Sequence, residues 1–198
     1  RTALEQRVEE RTNQLQRCAA QLLTAGEIAR EISSETELGA LLNNSIYLIQ
    51  KQFGFYHASI FLVDAQREYA VLQASTGEAG RQMLERNHRL KVGEQGLVGY
   101  ATSTGLSRVA SDVGEDAVHF QNPLLPYTRS EAALPLRVGE QIIGALDVQS
   151  MVSDAFTDED MNVLQTIADQ LAVAIEKTRL LEEFKNTVKR LDESSQQA

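Results

Sequence analysis

The chain has 198 residues, of which 42% are hydrophobic and 24% charged, as is ordinary for a globular protein with one sizeable core. Its formal net charge is −9 and it has no basic run, which argues against nucleic acid or an anionic membrane surface as a direct partner. The single cysteine, Cys18, excludes an intrachain disulfide framework, and no apolar run reaches the roughly 20 residues that cross a bilayer.

Cysteine usage and the chain start indicate where the protein works. A single cysteine is typical of a reducing compartment, so we expect a cytoplasmic location, including the cytoplasmic part of a membrane-anchored protein. The chain opens on Arg1 and shows no secretory signal, so we expect it to be a segment of a longer protein.

The first predicted element is a long helix over residues 1–33. Small and apolar residues alternate at spacings of three and four, with Arg11 filling the one gap: Leu4, Val8, Leu15, Cys18, Leu22, Ala25, Ala29 and Ile32. So narrow a seam is typical of a coiled coil. The helix would be roughly 50 Å long, so its simplest partner is a second copy of itself. The alternative is that its first half, Leu4 to Leu15, frays in solution.

A second helix and five strands follow. Ser34 and Glu37 have the spacing of a capping box, which predicts a helix over 36–52. Runs rich in apolar and β-branched residues predict strands at 57–64, 69–75, 106–113, 131–138 and 141–150.

The links between the strands favour a largely antiparallel sheet. Gly139 and Glu140 separate the last two runs and suit a two-residue hairpin turn. Pro135 lies inside a strand pattern, where it indicates an edge strand or a bulge.

Three glycines stand at three-residue spacing in the stretch KVGEQGLVGYATSTG: Gly93, Gly96 and Gly99. A P-loop requires lysine after its last glycine, whereas Tyr100 follows here, and the spacing differs from the dinucleotide fingerprint. The stretch instead predicts a turn and a short helix, LVGYATST, that lies close to the sheet and ends at Gly105.

The stretch VASDVGEDAVHFQNPLLPYTRSEAALPL is the most irregular part of the chain. It combines Pro123 and Pro126 with two aromatic residues, Phe120 and Tyr127. Two interpretations are open: a lid over a binding site, or a surface excursion whose aromatic side chains fill the core.

Signatures of catalysis and metal binding are absent from the sequence. The three histidines, His57, His88 and His119, lack zinc-site spacing. Neither a nucleophile elbow nor a Cys-x-x-Cys pair occurs. We therefore predict no catalytic residue and no metal site, and we expect this fragment not to be an enzyme.

The last predicted element is another long helix. Thr157 is a good N-cap, and the acids that follow it suit a first helical turn. A broad apolar face from Val163 to Ile175 predicts packing against the domain. Beyond it a narrow seam continues, so the helix is expected to project from the domain as far as its last member: Leu181, Phe184, Val188 and Leu191.

Three stretches resemble, in the usual order, the GAF domain family of bacterial sensor histidine kinases and related signalling proteins: 93–113, 129–150 and 156–176. The resemblance implies an α+β fold whose antiparallel sheet has five to six strands, with helices on both faces. Long N- and C-terminal coiled-coil helices flank it. The implied divisions are a signalling helix over 1–33, a GAF domain over 34–180 and a linker helix over 181–198.

The resemblance also implies a ligand cavity. It would lie on the sheet face that the LVGYATST helix and the irregular stretch cover, opposite the first and last helices. Its candidate residues follow from the family layout: Leu97, Val98, Asp112, Phe120, Tyr127, Ser130 and Glu131.

Known GAF subtypes differ in what they bind. Bilin-binding members and methionine sulfoxide reductase members use a domain cysteine, and residues 34–180 contain none. The signature of cyclic-nucleotide binders is not found either, since the acids of FTDED stand at capping positions. Haem-binding members use a histidine, for which His119 is the candidate. No cofactor is evident, and an unknown small molecule is the ligand that the resemblance allows.

The expected function is a sensory module that relays a small-ligand signal to an output domain of the same chain, a histidine kinase being the first candidate. The alternative is a ligand-free spacer that dimerises and transmits strain. We expect no nucleic acid and no direct membrane contact. The expected partner is a second copy, joined along the seam of both long helices: Leu4, Val8, Leu15, Cys18, Leu22, Leu181, Phe184, Val188 and Leu191.

Overall fold

The structure is a computed structural model that describes residues 3–116 and 118–195, except for the side chains of Ser33 and Ser195. The helices are α1 (Ala3–Ser34), α2 (Leu38–Phe53), α3 (Gly77–Glu85), α4 (Gly96–Thr104) and α5 (Asp158–Ser195). The strands are β1 (His57–Val63), β2 (Tyr69–Ser75), β3 (Arg89–Lys91), β4 (Arg108–Ala110), β5 (Ser130–Val138) and β6 (Gln141–Ser150).

The strands form one six-stranded sheet in the order β3-β2-β1-β6-β5-β4, and every neighbouring pair is antiparallel. The predicted α+β fold is confirmed, with six strands at the upper end of the expected number. Alternate side chains point to opposite faces of the sheet, so each strand contributes to two separate cores.

The larger core lies between the sheet and three helices, α1, α2 and α5. One face of the sheet supplies Ile60, Leu134 and Leu146, and α5 supplies Leu164 and Leu171, all fully buried. The broad apolar face predicted for the last helix is therefore the face that packs on the domain.

The smaller core lies on the opposite face, beneath α3, α4 and the long connection between β4 and β5. Leu97 and Val98 of α4 and Leu125 of the connection pack there against Ala133 and Ala145. The small side chains of Ala133 and Ala145 on the central strands leave room on this face for polar groups and for a covering layer.

The long helices α1 and α5 run side by side in the same direction. Gln14 Nε2 donates to Glu159 Oε1 (3.2 Å) near the start of α5, and the Leu38 backbone N–H donates to Glu182 Oε1 (2.9 Å) further along it. The part of α1 before Gln14 and the part of α5 after Glu182 consequently extend at opposite ends of the domain. Among the described helices, none combines the length and apolar character that crossing a membrane demands.

The predicted capping box at Ser34 and Glu37 is wrong. Ser34 still belongs to α1, where its hydroxyl donates to the Glu31 carbonyl (2.8 Å), and Glu37 makes no side-chain cap. The first N–H of α2 is satisfied instead by the carboxylate of Glu182, which also complements the positive end of the helix dipole. A cap supplied from so far along the chain has no local sequence signal.

Two short elements, α3 and β3, were not predicted. Helix α3 has two glycines and few apolar residues, and β3 buries a single side chain, Leu90. Strand β4 is shorter than predicted, with three residues paired to β5. The pairing of β5 with β4 ends at Ala133, so Pro135 falls where its missing N–H interrupts no ladder on that side.

Several local predictions are confirmed. Gly139, with φ +58°, turns the β5–β6 hairpin, and Gly105 closes α4 in the left-handed conformation. Thr157 and Asp160 cap α5 reciprocally, each side chain bonding the backbone N–H of the other. These signals are local, so the sequence alone identifies them.

We predict that Gly144→Ala destabilises the fold by about 2–3 kcal/mol or more, because an added methyl group would collide with the Phe61 carbonyl on the neighbouring strand. Gly39→Ala in α2 is the matched control: its new methyl group meets nothing within 4 Å and should stabilise the helix by about 0.5–1 kcal/mol. Urea unfolding of both variants checks the pair. Equal stability of the Gly144→Ala variant and wild type would contradict the register of β1 and β6.

Candidate functional site

Five polar side chains emerge from the central strands into the smaller core. The register pairs His57 with Gln149 and Ser59 with Asp147 across β1 and β6, and Glu131 of β5 with Gln149. Because all five occupy alternate positions, they share one face and adjoin one another. All are buried, and we call them the polar floor: His57, Ser59, Glu131, Asp147 and Gln149.

Hydrogen bonds order this polar floor. Gln149 Nε2 donates to Asp147 Oδ2 (2.8 Å), while Gln149 Oε1 accepts from the Thr128 hydroxyl (2.6 Å). On the other side, His57 Nε2 lies 2.8 Å from Ser59 Oγ and 3.0 Å from Ser75 Oγ. Burial lowers the pKa of His57 to about 4, so its ring is neutral at neutral pH.

Glu131 and Asp147 form a buried pair of carboxyl groups. The two residues stand diagonally opposite one another on β5 and β6, and Glu131 Oε2 lies 2.6 Å from His119 Nδ1. Asp147 Oδ1 is buried and has no hydrogen-bond partner within the described part of the chain. The pair therefore has one acceptor that the fold itself leaves open.

Burial sets the protonation of this pair. It raises the pKa of Glu131 to about 7. It also raises the pKa of Asp147 well above its ordinary value, and the neighbouring Glu131 charge raises it further. Two adjacent carboxylates without a counter-cation cannot both be ionised at low cost, so without a ligand the pair holds a proton at neutral pH.

A cavity of about 20 Å³ lies directly above the polar floor. Its other walls come from α3, α4 and the β4–β5 connection: Met83, Gly96, Val98, Phe120, Asn122 and Leu125. This volume admits about one water molecule, so the inner cavity, as it stands, is nearly closed.

A second cavity of about 550 Å³ lies outside the first, within the β4–β5 connection. Asp116, His119 and Thr128 line it, while Asn122 and Leu125 border both cavities. We call residues 118–128 the cover segment, since they separate the outer cavity from the polar floor.

The glycine stretch positions α4 against the sheet. A methyl group on Gly99 would lie 2.7 Å from the Lys91 carbonyl oxygen, so only glycine permits this close approach. Gln95 Oε1 accepts from the Lys91 backbone N–H (2.8 Å), which fixes the start of the helix to β3. The stretch thus holds Val98 over the polar floor.

The structure brings three of the predicted cavity residues, Val98, Phe120 and Glu131, around the inner cavity. Leu97 is buried in the same core without lining that space. Whether a ligand touches any of these residues stays a prediction.

The remaining three predicted cavity residues lie elsewhere. Asp112 pairs with Arg129 (2.9 Å), and the exposed Tyr127 ring meets Tyr56 edge-on at 6.4 Å. Ser130 donates to the Val152 carbonyl (2.6 Å), because its place in β5 turns it away from Glu131.

Sequence reasoning missed four of the five polar-floor residues: His57, Ser59, Asp147 and Gln149. A usable signal existed, since HASIF and GALDVQS place polar residues at alternate positions of otherwise apolar strands. Which alternate set faces a cavity depends on the register of the sheet.

The proposed seam residues lie exposed along α1 and α5, including Leu4, Leu15, Phe184 and Leu191. Near the start of α5, an open groove of about 400 Å³ between the two helices is lined by Leu15, Cys18, Leu22 and Val163, among others. The seam therefore consists of mostly apolar side chains that residues 3–116 and 118–195 leave exposed.

No metal cluster forms in residues 3–116 and 118–195, where no three His, Cys, Asp or Glu side chains are grouped to hold an ion. His119, the candidate haem ligand, is engaged through Nδ1 with Glu131.

The sequence profile of the GAF domain family matches residues 35–176, most of the chain, so the chain belongs to this family. No curated protein matches the sequence. The fold matches the GAF domain of a phosphoenolpyruvate-protein phosphotransferase from Coxiella burnetii with TM-score 0.74 and 22% identity, over 82% of this chain and 96% of that one. The family resemblance seen in the sequence is confirmed, and with it membership of a family of sensory and regulatory modules found in signalling proteins.

An enzyme is also among the similar structures. The free methionine-R-sulfoxide reductase from Neisseria meningitidis, solved in complex with its substrate, has TM-score 0.71 and 25% identity over 83% of this chain and 93% of that one. A type II reductase from Thermoplasma acidophilum has TM-score 0.62 and 20% identity, over 71% and 94% of the two chains.

These reductases overturn the prediction that the fragment is not an enzyme, which is wrong. That prediction depended on the absence of zinc-site, nucleophile-elbow and Cys-x-x-Cys signatures and of a cysteine in residues 34–180, and each of these absences bears on one kind of chemistry only. The fold is one that enzymes use.

We predict that Glu131→Gln changes how stability depends on pH. The pKa of Glu131 lies above its ordinary value in the folded state, so its stabilising contribution is full below pH 4.5 and is lost as pH rises through about 7. Relative to wild type, the variant should therefore gain about 2–3 kcal/mol in the free energy of unfolding at pH 8 and little at pH 4.

Denaturant unfolding at the two pH values measures this gain. Glu140→Gln, on the exposed hairpin turn, is the control that changes net charge equally. The same gain in both variants would show that net charge, rather than the burial of Glu131, is responsible.

Proposed function

We propose that this GAF domain is a sensory module that binds a small cationic molecule on the Glu131–Asp147 pair. The observation that carries the proposal is the open acceptor, Asp147 Oδ1, buried beside a second carboxyl group in a cavity. Buried polar groups in folded proteins are satisfied almost without exception, so an orphaned oxygen in a cavity points to a ligand that supplies the donor.

The chemistry of the pair favours a protonated amine. An ammonium group offers up to three donors and a positive charge, so it can bond to both carboxyl groups and offset their mutual repulsion. An anion or a neutral acceptor would meet two carboxyl groups and the neutral His57 ring, and would gain much less. Gln149 and Thr128 hold Asp147 in place beside the ligand.

The likeness to one of the reductases supports the choice of this ligand class. The Neisseria reductase acts on free methionine-R-sulfoxide, an amino acid that carries an α-ammonium group. Free amino acids and their sulfoxides are therefore the first probes to test on this chain.

Signal transmission would follow from the position of α5. This helix packs against β5, and Gln165 Nε2 donates to the Pro135 carbonyl (3.3 Å) on the same strand that carries Glu131. A ligand acts through its different affinity for two arrangements of the domain, and α5 extends any such difference beyond the domain. We propose a cytoplasmic homodimer joined along the exposed seam, with an output domain such as a histidine kinase in the same chain.

The experiments below also test two other functions. A ligand-free relay is favoured by the small inner cavity, of about 20 Å³. A reductase is favoured by the likeness to the Neisseria enzyme; Cys18, the only thiol, lies in α1 across the sheet from the polar floor, so turnover there would require other groups.

We predict that an amine from an amino acid panel binds wild type and that Asp147→Asn weakens it at least tenfold, because the amide removes the charge on the open acceptor. Affinity should rise as pH increases from 6 to 8, since the cation binds the ionised pair and the pKa of Glu131 is about 7. Isothermal titration calorimetry measures both effects, and Asp112→Asn, outside the cavity, is the matched control.

If no member of the panel binds, the relay without a ligand is supported and the amine site is contradicted. Steady consumption of methionine-R-sulfoxide with a thiol reductant, at catalytic protein concentrations, would instead support the reductase.

We predict that the chain is a dimer and that Leu191→Glu shifts it toward monomer by at least tenfold in dissociation constant, because the charge enters the apolar seam. Leu106→Glu is the matched control, since Leu106 is similarly exposed but lies outside both long helices. Light scattering across a dilution series measures the shift. An unaltered dimer in the Leu191→Glu variant would place the interface elsewhere.

A further inference from the structure

We propose that His119 is a displaceable latch: it holds the cover segment closed by bonding Glu131, and the cationic group of the ligand enters by taking its place. This inference rests on the proposed amine site. It adds to that site a route by which the ligand enters and a change in the position of the cover segment when the ligand is bound.

The latch itself is a short contact between two nearly buried side chains. His119 Nδ1 and Glu131 Oε2 are 2.6 Å apart, with side-chain exposures of 10% and 8%. His119 belongs to the cover segment and Glu131 to the polar floor, so this bond joins the first half of the cover segment to the floor. Burial lowers the pKa of His119, so the neutral ring donates its Nδ1–H to Glu131.

The two cavity volumes require the cover segment to move. The inner cavity of about 20 Å³ admits one water molecule and excludes any amino acid. The outer cavity of about 550 Å³ is large enough for one, and Asn122 and Leu125 are the wall between them. A ligand waiting in the outer cavity therefore lies beside His119, and its path to Glu131 leads past that ring.

The remaining contacts of the cover segment allow a hinged motion of its centre. At its start, the Val118 N–H donates to Asp116, which pairs with Arg108 (3.2 Å) in β4. At its end, Thr128 is tied to Gln149. Between these attachments, Phe120 and Leu125 make apolar contacts, and Asn122 Nδ2 contacts only a weak acceptor, Met83 Sδ (2.9 Å). The His119–Glu131 bond is therefore the strong polar contact that the centre makes with the floor.

The replacement of His119 by the ammonium group of the ligand at Glu131 is energetically favourable. A neutral imidazole N–H is replaced by an ammonium group, which adds the attraction between opposite charges to the hydrogen bond with the carboxylate. The displaced His119 then leaves the floor, and ligand occupancy changes the position of the cover segment. Because the domain must break its own bond first, the latch lowers the apparent affinity for every ligand.

The first arm of the test uses the protein without ligand. Hydrogen–deuterium exchange of peptides covering 118–128 should be at least fivefold faster in His119→Ala than in wild type. Gln121→Ala, an exposed neighbour in the same segment, is the matched control and should exchange like wild type. His119→Asn keeps a donor near the Nδ1 position and should restore slow exchange. Unchanged exchange in His119→Ala would overturn the latch.

The second arm uses L-methionine-R-sulfoxide as the probe, with its N-acetyl derivative as the control that lacks the ammonium group. His119→Ala should bind the probe about tenfold more tightly than wild type. In proton NMR, the downfield Nδ1–H signal of His119 should be present without the probe and lost at saturation. A probe that binds while this signal persists would contradict the displacement of His119 from Glu131 by the ligand.

The two arms separate failure of the latch from failure of the site beneath it. A probe that binds neither wild type nor His119→Ala contradicts both the displacement of His119 by the ligand and the proposed amine site. Fast ligand-free exchange in His119→Asn as well as His119→Ala would show that the ring fills space rather than donating a hydrogen bond, which contradicts the latch alone.

Discussion

Two carboxyl groups buried side by side on the central strands constrain everything around them. Glu131 and Asp147 lie on β5 and β6, where the sheet is covered on both faces and water is nearly excluded. Each is raised in pKa by burial, and one oxygen is left without a donor. An apolar pair would stabilise this core more, and we therefore assign the two acids a role in binding the proposed ligand. Gln149 donates to Asp147 and is itself held by Thr128, while His119 bonds Glu131, so both members of the pair are held in place.

The same architecture connects the pair to the ends of the molecule. Helix α5 packs on the strand that carries Glu131, and its Glu182 carboxylate caps α2 before the helix leaves the domain. Because α1 and α5 run in the same direction, the helix that enters the domain and the helix that leaves it extend at opposite ends. A structural change in the sheet therefore lies on the same axis as the entering helix α1 and the leaving helix α5. This arrangement suits a module that transmits a signal along its axis, and it requires no flexible joint.

Much of the fold follows from local sequence signals, and the site follows much less. The seams of α1 and α5, the Gly139 turn and the Thr157 cap each depend on neighbouring residues, so they are visible in the sequence. The capping of α2 by Glu182, the short strand β3 and the face to which Asp147 points depend on distant contacts or on register, and no local pattern encodes them. Glu131 was predicted through the family layout, whereas Asp147 and Gln149 were passed over as ordinary strand residues. Ser130 shows most clearly what the sequence cannot determine. It is the neighbour of Glu131 in β5, yet its side chain points to the opposite face of the sheet from the cavity.

The number of protons released when an amine binds tests most directly whether the Glu131–Asp147 pair is the ligand site. Calorimetric titration with L-methionine-R-sulfoxide at pH 6.5, in buffers of different ionisation enthalpy, gives that number. We predict the release of about one proton per domain, because the cation replaces the proton that the Glu131–Asp147 pair holds, and no release in the Asp147→Asn variant. Binding to wild type without release of a proton would contradict the claim that this buried carboxyl pair is the ligand site.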